Sequence, residues 1–236
     1  MNCNDSTPDA ALQRKYRVRV ALFLAGVIVV VFFLNAVYTG FNTIARLDVV
    51  EAGRDQLQRP SDVVAELKLK QGSLVADVGS GSGYFALKLS QAVGESGQVY
   101  AVDIRKRPLA VLWIRALFSG RHNIRIVPGD SDDPHLPVGI LDSVLIANAY
   151  HEFRNPQSTL NHIFRSLRSG GRLVVLDRSS VTPDANEEQR HHQISPEDLN
   201  VQLRQAKLKI LSRQDQFIDR PDGERWWLIV AQKAQQ

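Results

Sequence analysis

The sequence predicts an α/β protein in which a parallel sheet is wound on both faces by helices, ended by an antiparallel strand pair and preceded by one membrane-spanning helix. Three observations carry this. Short apolar runs alternate with stretches of helical periodicity from residue 74 to residue 177, as a doubly wound sheet requires. The last two strand-like runs, 207–213 and 226–231, have no helix between them, the mark of an antiparallel pair. Residues 20–37, VALFLAGVIVVVFFLNAV, carry no charge and one strongly polar side chain, Asn35.

As a helix of about 1.5 Å rise per residue, that apolar run reaches about 27 Å, close to the roughly 30 Å of a bilayer's hydrocarbon core. Arg14, Lys15, Arg17 and Arg19 precede it, and Tyr38 and Phe41 follow as interfacial anchors would. A buried core helix and a cleaved signal peptide are the alternatives. The run is long for a signal sequence and no clean small-residue cleavage site follows, so an uncleaved single-pass anchor is expected. Beyond it, only Arg46 and Arg54 balance the four basic residues, a difference of two charges that leans toward a cytoplasmic N-terminus and a translocated C-terminal domain but leaves the side of the domain open. The expected organisation is a basic tail (1–19), a transmembrane helix (20–38), a polar connector (39–59) and one domain (60–236).

Length and composition fit that plan: 236 residues, 44% hydrophobic and 23% charged, can bury one globular core and exclude a disordered or collagenous chain. Cys3 is the single cysteine, which excludes an intrachain disulfide framework and a thiolate metal cluster. The net charge of +4 is diffuse, with seven Lys/Arg against five Asp/Glu in residues 1–59 and +2 over the remainder. Nucleic acid is therefore not an expected partner.

Within the domain, Ser61 is expected to cap a short helix over 62–69 after Arg59-Pro60. LVADV (74–78) reads as the first strand, and residues 84–93 place Phe85, Leu89, Ala92 and Val93 at helical spacing. QVYAVD (98–103) is a second strand, 108–118 a helix, IRIV (124–127) a third strand and LDSVLIAN (141–148) a fourth. A helix over 156–167 precedes RLVVLD (172–177), the fifth strand; Ser195-Pro196-Glu197-Asp198 opens the last helix before the closing pair. Trp226 and Trp227 are expected to pack the final strand rather than stack on a substrate.

The first strand ends in Asp77-Val78-Gly79-Ser80-Gly81-Ser82-Gly83, a glycine loop at the position where a doubly wound sheet binds its ligand. Its G-x-G-x-G spacing departs from the G-x-G-x-x-G of dinucleotide sites. Three acids coincide with it. Asp77 can accept from an ammonium group; Asp103, ending the second strand 24 residues after Gly79, can accept from both ribose hydroxyls; Asp130, after the third, can accept from an adenine amine. A nucleoside bearing an amino-acid tail satisfies all three.

On these residues the chain resembles the class I S-adenosylmethionine-dependent methyltransferases, and the resemblance runs from about residue 60 to 231. VADVGSGSGYF (75–85), VYAVDI (99–104), PGDSDDPHLP (128–137), NAYHEF (148–153) and LRSGGRLVVLD (167–177) carry it, and the chain looks most like the bacterial quinone and small-molecule branch. The resemblance implies S-adenosylmethionine as cofactor, a Rossmann-like seven-stranded sheet with a reversed last strand, and cofactor contacts at Asp77, Gly79, Gly81, Asp103 and Asp130. Ser80, Gly83, Tyr84, Ile104, Ser131 and Asn148 complete the expected cofactor surface. Ser82 stands where the family often has Thr, which leaves the glycines intact.

Methyl transfer from a sulfonium is a direct displacement, so the protein must mainly hold nucleophile, methyl and sulfur in line, and no metal site is expected. Tyr84 and Tyr150 are the aromatic faces expected near the sulfonium. His151 is the expected base, with Glu152 beside it; a loop histidine bonded to Glu152 or to backbone is the plainer alternative. The His191-His192 pair is a weaker candidate for the substrate side. The expected activity is methyl transfer to a small, apolar acceptor, because an anchor holds the site near lipid-dissolved molecules. A non-catalytic accessory protein of the same fold is the alternative, and a nucleotide-sugar or NAD enzyme is disfavoured by the glycine spacing.

Overall fold

The computed structural model describes residues 8–179, 194–219 and 225–235. The chain divides into two units, Met1–Gly53 and Arg54–Gln236. The first unit consists of most of a long helix, α1 (Pro8–Gln58), whose stretch Leu12–Gly40 has a mean hydropathy of 2.8 and no buried share. By length and composition this helix is able to cross a membrane.

The polar connector expected over residues 39–59 is helical instead, because α1 continues to Gln58. Leu47, Glu51, Ala52, Gln56 and Leu57 are good helix formers, and no proline interrupts them. The break comes at Arg59, where the ring of Pro60 disfavours the right-handed helical conformation of the preceding residue. Arg59 adopts φ 49° and occupies the N-cap position of α2 (Pro60–Glu66), with the proline at its start. The cap expected at Ser61 is thus displaced to Arg59, whose guanidinium bonds Asp62 at 2.7 Å and the Phe217 carbonyl at 2.9 Å.

The second unit is a seven-stranded sheet: β1 (Leu74–Val78), β2 (Gln98–Asp103), β3 (Ile124–Pro128), β4 (Leu141–Ala147), β5 (Leu167–Ser179), β6 (Leu208–Asp219) and β7 (Arg225–Lys233). The spatial order is β3-β2-β1-β4-β5-β7-β6. The first five strands are mutually parallel, and β7 runs antiparallel to β5 and β6 on either side of it. This is the expected Rossmann-like architecture with a reversed last strand.

Helices cover both faces. One core layer joins Ala76, Val144 and Val175 to Leu160 and Ile163 of α5 (Pro156–Ser166) and Leu199 and Leu203 of α6 (Pro196–Gln205). The other joins Val75, Leu145 and Val174 to Leu89 of α3 (Tyr84–Val93) and Leu109 and Leu112 of α4 (Lys106–Phe118). Burial on both faces is why these strands read as continuous apolar runs. Trp227 faces the first layer and Trp226 the second, both buried, as expected.

The fifth strand begins earlier than expected. The pairing of Leu141 with Leu167 and of Ser143 with Arg172 leaves an irregularity that accommodates Gly170-Gly171 inside β5. Chain order reverses between β1 and β4, so a crevice opens outside their C-terminal ends, where α/β sheets bind ligands.

Candidate functional site

The glycine loop leaves β1 at that crevice. Gly79 (φ 82°) and Gly81 (φ 53°) both adopt left-handed backbone, which L side chains rarely take. A Cβ on Gly79 would stand 2.3 Å from that of Ala149, so the loop abuts the segment after β4. A Cβ on Gly81 would meet nothing within 4 Å, so its inner side is an open cradle.

Asp103 locks the loop to β2. One oxygen accepts from the Gly81 amide at 2.9 Å; the other accepts from the Arg105 amide at 2.8 Å and its Nε at 3.2 Å. Oδ2, which accepts a single bond, keeps a spare lone pair, while Oδ1 has both of its sites engaged.

A cavity of about 260 Å³ lies beside the loop, bounded by Gly79, Asp103, Ile104, Asp130, Ser131, Asn148 and Glu152 among the expected residues. Val78, Val102 and Ala149 line it as well, with Arg105, Pro134, Phe153, Arg154 and Thr159, which sequence reasoning had not singled out. Asp130 is largely exposed at the rim, 3.2 Å from His135 Nε2.

Three buried polar atoms cluster around these strand ends without a protein partner: Asp77 Oδ2, Ser80 Oγ and Asn148 Oδ1. Unpaired buried oxygens are costly, and a ligand with donors aimed at them would satisfy them. Burial pushes the Asp77 carboxyl up to about 7, and nearby Asp103 adds to the rise. A cationic ligand group would return it to the ionised form. The open cradle, the ribose-ready carboxylate and these orphaned atoms fit S-adenosylmethionine. Among the described residues no group of three or more His, Cys, Asp or Glu side chains is placed to hold a metal.

Two expectations are corrected. Tyr150 is not at the cavity: it lies in a short 3-10 turn (Tyr150–Glu152), is 1% exposed, and donates its hydroxyl to Gln202 of α6. Burial raises its pKa, and its ring packs in the core rather than on the cavity wall. Phe153, which packs at 5.2 Å against the Tyr150 ring, reaches the cavity instead. Tyr84 is also engaged elsewhere. Arg54 lies 3.9 Å from its ring centroid, Lys88 Nζ lies 4.7 Å away, and its hydroxyl donates to Asp55 at 2.7 Å. Cations of its own chain occupy the ring expected to face a sulfonium.

His151 is nearly buried beside the cavity and does not line it. Its Nδ1 lies 2.8 Å from Asp177 Oδ1, and its backbone N–H donates to Asp177 Oδ2 at 3.1 Å. Asp177, fully buried at the end of β5, raises the His151 pKa chiefly through this hydrogen bond. With the carboxylate accepting from Nδ1, the neutral ring presents Nε2 as its acceptor, 3.9 Å from Glu152 Oε1. Sequence reasoning missed Asp177; the one signal was an acid ending the apolar run RLVVLD. The His191-His192 pair lies outside the described residues.

A reversed last strand on a parallel sheet, with a glycine loop and an acid ending β2, defines the class I methyltransferase fold. Consistent with it, a structure described as a SAM-dependent methyltransferase from Aquifex aeolicus superposes with a TM-score of 0.64 at 24% identity, over 73% of this chain and 88% of that one. The model of the ubiE/COQ5 methyltransferase family matches residues 30–193, and the chain belongs to that family. Over 134 residues it is 33% identical to the Ubiquinone/menaquinone biosynthesis C-methyltransferase UbiE of Azotobacter vinelandii, 56% of this chain and 52% of that protein. It is 26% identical over 137 residues to the Demethylmenaquinone methyltransferase of a Geobacillus species, 58% of each. The chain thus spans about half the length of the curated relatives it matches.

Proposed function

We infer that the protein transfers a methyl group from S-adenosylmethionine to a small, apolar, quinone-type acceptor. The observation that carries this is the cluster of buried, unpartnered oxygens on Asp77, Ser80 and Asn148 around an open glycine cradle, in a chain of this family. When bound, S-adenosylmethionine supplies an electrophilic methyl group on a sulfonium.

The chain's own residues then have distinct tasks. Asp103 accepts from the ribose hydroxyls, Asp130 and Ser131 meet the adenine end, and Asp77 accepts from the ammonium group. Ile104, Pro134 and Phe153 give the cavity its apolar wall, which excludes water from the line of attack. Glu152, on the cavity wall, takes the proton that the acceptor must lose when carbon is methylated and passes it to His151, which Asp177 orients. Glu152 lies between this ring and Arg105, whose Nη1 is 4.0 Å from its carboxylate. The apolar stretch Leu12–Gly40 anchors the enzyme beside its lipid-dissolved acceptor.

Calorimetry of the full chain in detergent tests the cofactor: S-adenosylhomocysteine binds and NAD does not. Methyl transfer to a demethylated quinol, followed with labelled cofactor, tests the acceptor. Binding without turnover on any quinol would favour an accessory protein instead.

A further inference from the structure

Exposed apolar side chains of the second unit are mostly scattered singly, but α4 concentrates four of them on one face. Trp113 (59% exposed), Ile114 (37%), Leu117 (54%) and Phe118 (80%) form two adjacent i, i+4 pairs. Leu109 and Leu112 seat the helix on the sheet, and Ala116 is buried between them and the exposed set. No described element covers this outer face.

Charge is equally one-sided there. From Ile104 to Gly129 the chain contains six Lys/Arg and no Asp/Glu. One of the six, Arg115, is buried and bonds the Ser82 carbonyl at 2.8 Å. Lys106 and Arg107 share the outer face at the start of the helix, while Arg121 and Arg125 follow its end. Tryptophan, leucine and phenylalanine rimmed by lysine and arginine are what an interfacial helix presents to a bilayer with anionic headgroups.

We propose that the outer face of α4 docks on an anionic lipid surface. Ile104 and Arg105, just before the helix, line the cavity, so docking presents the cavity's rim to the bilayer. The inference rests on the anchored, lipid-facing reading of the site only in that an anchor keeps the unit at a membrane. Alkaline carbonate extraction reports the anchor separately.

The three tryptophans make the test selective. Trp226 and Trp227 are buried within the sheet, and the apolar stretch of α1 has none, so Trp113 alone is placed to meet lipid. The full chain is reconstituted in phosphatidylcholine vesicles containing phosphatidylglycerol, with acyl chains brominated or unmodified. Docking predicts partial bromine quenching of tryptophan emission that vanishes in Trp113→Phe. It also predicts loss of most of the quenching in Lys106→Glu/Arg107→Glu and in vesicles of phosphatidylcholine alone. Equal emission in brominated and unmodified vesicles overturns the proposal, as does quenching that survives Trp113→Phe. A Trp113 emission that depends on protein concentration and not on bromine also overturns it, since a second copy would then cover the face.

Discussion

Asp177 holds His151 at two points, one carboxylate oxygen on ring Nδ1 at 2.8 Å and the other on the backbone N–H at 3.1 Å. The double contact fixes both the position of the turn after β4 and the tautomer of the ring.

Replacing that acid therefore separates chemistry from binding. Asp177→Asn should lower kcat by roughly 10²–10⁴-fold, the usual contribution of a positioned base, while leaving S-adenosylhomocysteine affinity unchanged. Because Asp177 raises the His151 pKa, its loss should also move the acid limb of the kcat/KM profile to lower pH. An unchanged limb would remove His151 from the reaction.

Asp103 offers the complementary case. Asp103→Ala should cost cofactor affinity on the order of 1–3 kcal/mol, since the ribose hydroxyls and the Gly81 amide lose their shared acceptor. Isothermal titration with S-adenosylhomocysteine reads this directly; retained affinity would contradict the ribose assignment.

Asp77 predicts a pH dependence with a definite sign. Its carboxyl is raised from 3.8 to about 7 by burial, so the native state holds a proton that the unfolded chain releases. The associated stability is complete below about pH 4 and is lost as pH rises toward about 7. In urea melts, Asp77→Asn should flatten that decline. Binding of a ligand ammonium should expel the same proton, so calorimetry near about pH 6 in buffers of different ionisation enthalpy should show proton release that the variant lacks.

The two crevice glycines should fail differently. Gly79→Ala places a Cβ 2.3 Å from Ala149 and should lower the melting temperature of the domain. Gly81→Val adds its side chain to open space, so the fold should survive, with about 1–3 kcal/mol of backbone strain, while cofactor binding is lost. Circular dichroism and titration distinguish the two outcomes.

The anchor is tested independently of the site. The full-length protein should resist carbonate extraction and keep its own N-terminus, and a C-terminal reporter active on one side only would fix its orientation. A mature N-terminus after Val37 would identify a signal peptide instead.

The sheet was legible because buried parallel strands are short apolar runs bounded by glycine and helix signals; β1, α3 and β2 match their expected limits. The helical run through Gln58 was hidden because an exposed helix needs no apolar periodicity, and polarity alone suggests a loop. Tyr150 was misplaced because a three-residue turn has no face that spacing can reveal. Asp177 could not be tied to His151 without register: they are 26 residues apart, and only the pairing of Ala147 with Leu176 sets the two strand ends side by side. The ring of Tyr84 depends on Arg54 and Asp55, which sequence reasoning had assigned to a connector.

The position of β7 between β5 and β6 has a consequence for biosynthesis. Residues 225–233 form hydrogen bonds on both sides, so β6 waits unpaired until the ribosome has released them. Until then the parallel strands β1 to β5 form at most an open five-stranded sheet. Closure of the fold thus waits for residues 225–233, and a nascent chain stalled before them would carry a bare β5 edge and an unpaired β6, a substrate for quality control.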